Sequence, residues 1–226
     1  SARGTRTNDD GSEWDVFNAV TTLFAGSATR NYFQSDIGEG RLIGHVERDS
    51  YAIEPYVGGR YERVSPISAT GDVWTMFGRD DSLKSARPNP LVDEGHIASA
   101  LLGAELTTFS GVVTARLSAQ VEQSFTAPAP ASNFLQLTVD GAVGFPTVGT
   151  QELHFQVHGV ATRGDRVPLA RYAYLGGSGT LATLDLLEQG GSALVYVESR
   201  YLIPIEAIQL PFIGAPVLSV RDAIGG

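Results

Sequence analysis

Tyr51-Ala-Ile-Glu-Pro-Tyr-Val-Gly-Gly-Arg-Tyr-Glu62 separates by parity. Its odd positions are Tyr51, Ile53, Pro55, Val57, Gly59 and Tyr61, and its even ones are Ala52, Glu54, Tyr56, Gly58, Arg60 and Glu62. Successive side chains of a strand point to opposite faces, so the stretch reads as a ribbon with one apolar and one largely polar face. The same split recurs on both sides of it. Val113, Ala115, Leu117, Ala119 and Val121 oppose Thr114, Arg116, Ser118, Gln120 and Glu122. Leu135, Leu137, Val139, Val143 and Phe145 oppose Gln136, Thr138 and Asp140. Leu153, Phe155, Val157 and Ala161 oppose Glu152, His154, Gln156 and His158, while Ala193, Val195, Val197, Tyr201 and Ile203 oppose Ser192, Glu198 and Arg200. Weaker copies lie at 14–24, 41–48, 73–77, 97–109, 167–174 and 216–223, giving about ten to twelve strands.

Punctuation between the segments supports the reading. Asp49-Ser50, Ser110-Gly111, Pro146 to Gly149 and Gly164-Asp165 look like short connections, and Gly58-Gly59 could mark a bend. Longer connections run over 78–95, 126–132 and 175–191. Short turns alternating with long loops suit an antiparallel up-and-down meander. No shift of composition divides the chain, so residues 1–12 read as a flexible lead-in without the apolar core of a signal peptide, and 13–226 as one β-barrel domain.

Composition narrows the function classes. The chain has 226 residues, no cysteine, 26 glycines, and 16 Lys+Arg against 25 Asp+Glu. A formal charge of −9 repels phosphate backbones, so nucleic acid is not an expected partner. Without cysteine there are no disulfides, thiol nucleophiles or cysteine zinc sites. No apolar run reaches the roughly 18 residues of a transmembrane helix, although membrane strands need no such run.

Alternation alone does not say which face meets water. A soluble barrel or sandwich buries its apolar face, and an outer-membrane barrel turns that face to lipid and the polar one to its lumen. Three features favour the membrane. Several segments run about 10 to 13 residues, near the 9 to 11 of a tilted membrane strand and beyond the usual five or six. The apolar stripes contain small residues such as Ala115, Ala119 and Gly159, which lipid tolerates better than a packed core does. Tyr51, Tyr61, Phe125, Phe145, Tyr172, Tyr174 and Tyr201 fall near segment ends, as interfacial aromatics do. The expected fold is therefore all-β, an antiparallel up-and-down transmembrane β-barrel.

The C-terminal quarter carries a resemblance. Arg171-Tyr-Ala-Tyr-Leu-Gly-Gly-Ser-Gly-Thr-Leu181, then Gly190-Gly191, Glu198-Ser-Arg200 with Pro204-Ile205, and Leu218-Ser-Val-Arg-Asp-Ala-Ile-Gly225 occur in that order. The ordered set resembles the surface-antigen barrels of the BamA/TamA family over about 55 residues, and the upstream hairpins match only in style. The resemblance implies that Leu175, Gly176, Gly177, Ser178, Gly179, Thr180 and Leu181 form a loop folded into the lumen. It further implies that Glu198, Arg200 and Asp222 line the lumen wall beside it. In the family the loop continues into an Arg-Gly-aromatic tip whose arginine docks on wall carboxylates. Ala182, Thr183 and Leu184 stand there in this chain, and alanine can make none of the paired bonds of a guanidinium. The family's barrels also have more strands than this chain supplies, which leaves open a fragment, a smaller relative or a piece that closes with a partner.

No catalytic or metal constellation assembles. His154 and His158 share a strand face about 13 Å apart, too far to grip one metal ion. Gly176-Gly-Ser178-Gly-Thr180 lacks the last glycine of a nucleophile elbow and is followed by no Lys-Ser or Lys-Thr of a phosphate cradle. Asp80-Asp81 and Asp93-Glu94 lack the spacing of a calcium loop. The expectation is a protein that is no enzyme and binds no cofactor. It would sit in the outer membrane of a Gram-negative-type bacterium as an anchor, channel or polypeptide translocation unit, partnered by the lipid bilayer and by polypeptide cargo or other envelope proteins. The rival is a soluble β-barrel or sandwich that binds a small apolar ligand or a protein partner.

Overall fold

The computed structural model describes residues 2–5, 32–66, 92–110, 113–176, 189–205 and 217–226. The weak strands expected at 14–24 and 73–77 lie outside them. The described residues form strands and one three-residue 3-10 turn. The strands are β1 (Ala2–Thr5), β2 (Tyr32–Ile43), β3 (Val46–Arg48), β4 (Tyr51–Pro66), β5 (Gly95–Ser110), β6 (Val113–Thr126), β7 (Leu135–Pro146), β8 (Glu152–Arg163), β9 (Ala173–Leu175), β10 (Gln189–Gly191), β11 (Ala193–Pro204) and β12 (Val217–Gly225). β1 lies within the stretch read as a flexible lead-in, where it pairs with β2.

Ten strands make one antiparallel sheet in the order β1-β2-β4-β5-β6-β7-β8-β11-β12, with β3 also on β4. β3 prolongs the β2 ladder after a break at Gly44 and His45, where the Gly44 amide still donates to the Pro55 carbonyl. The up-and-down meander expected from the turns is therefore present: Asp49 and Ser50 join β3 to β4, and residues 147–151 join β7 to β8. Gly58 and Gly59 do not bend β4. At Gly58 a Cβ would lie 2.5 Å from the Gly40 carbonyl oxygen, so the glycine lets the β2 and β4 backbones come together. No ladder joins β12 to β1 or β2 among the described residues.

Residues 164–192 break the sequential order without breaking the sheet. β8 pairs directly with β11, and the described residues between them, 164–176 and 189–192, lie off this sheet. Gly164-Asp165 opens this excursion instead of closing a hairpin, and 167–174 is not the strand its alternation suggests. Pro168 has no N–H to give a ladder, and its carbonyl accepts from the Arg171 amide at 2.9 Å to form the 3-10 turn Leu169–Arg171. β9 and β10 then pair as the base of the 175–191 connection.

The excursion covers one end of the sheet's polar face. Val64, Val92, Ile97 and Phe134 pack there with Ala170 of the turn. Ala173, Leu175, Leu194 and Tyr196 form a second cluster with Val160 and Ala223. The apolar stripes lie on the opposite face and are exposed: Val57 is 52%, Leu102 63% and Leu117 46% accessible. Glu62, Glu122 and Glu198 of the polar face are 3%, 1% and 3% accessible. The sheet thus encloses carboxylates and displays valines and leucines.

Candidate functional site

One cluster of charge fixes the excursion to the sheet, and a second ties β11 to β12. In the first, β4 supplies Glu62 and β6 supplies Glu122, both on the polar face by the parity of their strands. The Arg171 Nη2 at the end of the 3-10 turn donates to Glu62 Oε2 at 2.5 Å and to Glu122 Oε1 at 3.0 Å. The three side chains are 8%, 4% and 2% accessible, so the cation and both anions are dry. Ser35 Oγ donates to Glu62 at 2.6 Å and Ser99 Oγ to Glu122 at 2.8 Å, satisfying further lone pairs. Burial works against the Arg171 charge, but the carboxylates of Glu122 and Glu62 outweigh it and hold the guanidinium above its ordinary pKa. Arg60 reaches Glu122 at 3.4 Å and Glu39 at 2.7 Å, carrying the alternating charges outward to β2.

Backbone contacts lock the same turn. Gln136 Nε2 donates to the Arg171 carbonyl at 3.1 Å and to Thr162 Oγ1 at 2.8 Å. The Leu169 amide donates to Asp93 Oδ2 at 2.9 Å. The Arg171 guanidinium lies 5.6 Å from the centre of the Phe134 ring, within range of a cation–π attraction. One turn therefore touches β4, β6, β7 and the strand-free residues before β5.

The second cluster contains two of the expected wall residues. Glu198 accepts from Arg200 Nη2 at 2.9 Å, from Tyr196 Oη at 2.6 Å and from Arg221 Nη2 at 2.6 Å. Asp222 does not join it. Register places Glu198 opposite Ala223 and Arg200 opposite Arg221, so Arg221 shares their face while Asp222, opposite Ser199, faces the apolar side. The sequence signal was available in the alternation of β12, where Leu218, Val220 and Ile224 share the parity of Asp222.

Of the expected inward loop, Leu175 and Gly176 are buried, while Gly177, Ser178, Gly179, Thr180 and Leu181 lie outside the described residues, as does Ala182. Ala182 supplies no cation, whereas Arg171 upstream binds the Glu62 and Glu122 carboxylates of the polar face. Its signal was a lone arginine beside Pro168 in an otherwise apolar and small stretch. Leu175 packs in the Leu194–Tyr196 cluster and reaches the last strand: a Cβ at Gly225 would lie 2.8 Å from its Cδ1.

The polar-face histidines have separate partners. His154 meets Glu152 at 2.8 Å, His158 meets Asp140 at 2.5 Å, and His45 meets Glu54 at 3.0 Å. Among the described residues no group of three or more His, Asp and Glu could hold a metal ion.

What fold and site define is an all-β chain with an antiparallel up-and-down sheet, an exposed apolar face, and an internal segment pinned by buried ion pairs to the polar face. Comparison with family models, with curated proteins and with solved structures finds no match to this chain.

Proposed function

We propose that the chain is an outer-membrane β-barrel protein of a Gram-negative-type bacterium. It is held in the lipid bilayer by its apolar face and acts as an anchor, channel or translocation and assembly unit for polypeptide cargo or other envelope proteins. The observation that carries the reading is the inversion of the two faces. Water-soluble sheets gain stability by hiding apolar side chains, and here Val57, Leu102, Leu117 and Val197 are left out while Glu62, Glu122 and Arg171 are taken in. Hydrocarbon as the outer solvent removes the contradiction.

Dimensions support the same reading. β4 and β5 each have 16 residues and β6 has 14. Tyr51 and Tyr61 bound the apolar stripe of β4, ten residues apart, or about 33 Å along the strand. At a tilt of about 40° the stripe would stand about 25 Å tall, the height of an outer-membrane apolar band between its aromatic girdles. Eight long strands, β2, β4 to β8, β11 and β12, alternate in direction, so β12 and β2 run oppositely, as antiparallel closure requires. An open edge in lipid would leave backbone groups unpaired. The translocation element rests on the ordered motifs between Arg171 and Gly225 and on a segment folded over the polar face.

Single cysteines at Val57 and Glu54, in a chain that has none of its own, test the proposal after reconstitution into vesicles. A label at Val57 should be quenched from the lipid phase, and one at Glu54 should react with a water-soluble reagent. A chain that is folded and monodisperse in plain buffer, with the Val57 position open to water, would overturn the reading and favour a soluble β protein.

A further inference from the structure

At the end of the sheet that the excursion covers, the apolar face carries three ionisable side chains in one row. Asp36 on β2 is opposite Arg63 on β4, and Arg63 is opposite His96 on β5. Neither Asp36 nor Arg63 has an ion pair among the described residues. Tyr61, two residues nearer the middle of β4, stacks on His96 with ring centres 5.4 Å apart, and its Oη lies 2.9 Å from His96 Nδ1. The row therefore sits at the edge of the apolar band that Tyr61 bounds. Further along the same strands the face turns to small residues: Gly38 and Gly40 on β2, Gly59 on β4, Ala98 and Ala100 on β5. A Cβ at Gly40 would meet nothing within 4 Å, and at Gly38 and Gly59 nothing nearer than 4.0 and 3.8 Å, so backbone packing does not require these glycines. What they leave is an open trough of about 410 Å³, floored by Gly40 and Gly59 and flanked by Leu42 and Val57.

A row of charge at the edge of an apolar band, with an apolar trough running away from it, has the form of one amphipathic molecule. Resting on the membrane reading above, we infer that the outer surface of β2, β4 and β5 binds one phospholipid with a phosphoethanolamine headgroup. Arg63 holds the phosphate, because a guanidinium makes two parallel charge-assisted bonds to it. With Tyr61 Oη donating to Nδ1, His96 carries its proton on Nε2 and presents it as a further donor. Asp36, on the neighbouring strand, accepts from the ammonium. Adjacent strands are about 4.8 Å apart, close to the separation of phosphate and ammonium across the two carbons of ethanolamine. One acyl chain lies along the glycines. Arg63 and Gly59 are about 13 Å apart along β4, which leaves room for the glycerol between headgroup and trough. An anionic headgroup without an amine would leave Asp36 unpaired beside a phosphate, and a choline has no N–H to give it.

Native mass spectrometry of the full chain, released from detergent micelles, provides the test. Phosphatidylethanolamine, phosphatidylglycerol and phosphatidylcholine with identical acyl chains are added in equal amounts. One phosphatidylethanolamine should be retained per chain, favoured over either of the others by at least about tenfold, the ratio that roughly 1.4 kcal/mol of extra contact produces. Arg63→Gln should abolish the retention, and Asp36→Asn should remove the advantage over phosphatidylglycerol. Gly40→Leu, whose Cβ meets no protein atom within 4 Å but whose side chain fills the trough, should also abolish it. Equal retention of the three lipids, a preference for either of the others, or a variant that behaves as the parent overturns the inference. A label on Leu117→Cys, outside the trough, reports separately on the membrane reading in vesicles. If that label is quenched from the lipid phase while the headgroup preference is missing, the inference alone fails. If the label lies in water, the membrane reading falls and takes the inference with it.

Discussion

Removing the Arg171 side chain would strand two carboxylates that are almost fully dry. Arg171→Met should therefore cost about 3–5 kcal/mol, because an uncompensated buried charge is worse than no charge at all. Denaturant unfolding in detergent micelles measures the loss, and adding Glu62→Gln and Glu122→Gln should restore most of it. If the single variant is as stable as the parent, Arg171 does not hold the excursion. Gly225 makes the second contact testable. Leu175 is 1% accessible, so yielding to a Cβ 2.8 Å from its Cδ1 means moving that methyl against the buried neighbours of its own cluster. Gly225→Ala should cost about 1–3 kcal/mol through overpacking. In a Leu175→Ala background the same change should cost at least about 1 kcal/mol less, a coupling that a double-mutant cycle reads directly. Additive losses would mean that Leu175 does not rest on β12.

Strands, their parity and their turns were legible because alternation is a local property. Tyr51 to Glu62, Val113 to Ser124 and Ser192 to Ile203 each reveal both faces without any knowledge of neighbours. Register and the path of the excursion are not local. The alternation at 167–174 looked like another strand until Pro168 and the Arg171–Glu62–Glu122 contacts drew it off the sheet, and ion pairs between residues so far apart in sequence leave no periodic trace. The motif groups Asp222 with Glu198 and Arg200, and only the pairing of β12 with β11 puts Arg221, not Asp222, on their face of the sheet. The exposed stripe makes its own prediction. Leu117→Arg places a guanidinium on the apolar face of β6, where a bilayer would charge about 2–4 kcal/mol at its midplane. On a water-soluble sheet a change at a 46% accessible leucine should fall within about 0.5 kcal/mol of neutral. Unfolding from vesicles separates the two magnitudes.

The excursion acts as a chord across the molecule. Its 3-10 turn is anchored on β4, β6 and β7, and its β9–β10 base rests on β8, β11 and β12, so a single segment spans most of the strand order on the polar side. Both anchors lie at the end of the sheet where β4 finishes and β5 begins, and polar-face residues at the other end, Glu54 and Asp140 among them, remain exposed. One end of the polar face is therefore shut by the chain itself, and either anchor alone should suffice to keep it shut. Ser99, 5% accessible on β5 beneath the turn, reports on this state. A cysteine at Ser99 should resist water-soluble thiol reagents in the parent and in Arg171→Ala or Leu175→Ala alone, and become reactive by at least about tenfold when both are changed, since roughly 1.4 kcal/mol of lost docking energy is a tenfold rise in the open population. A label at Val57 should keep its parent environment in the double variant, which separates a released segment from an unfolded sheet. Full reactivity of Ser99→Cys in the parent would show that the segment does not cover this end of the polar face, and the two anchors would then hold only the residues they touch.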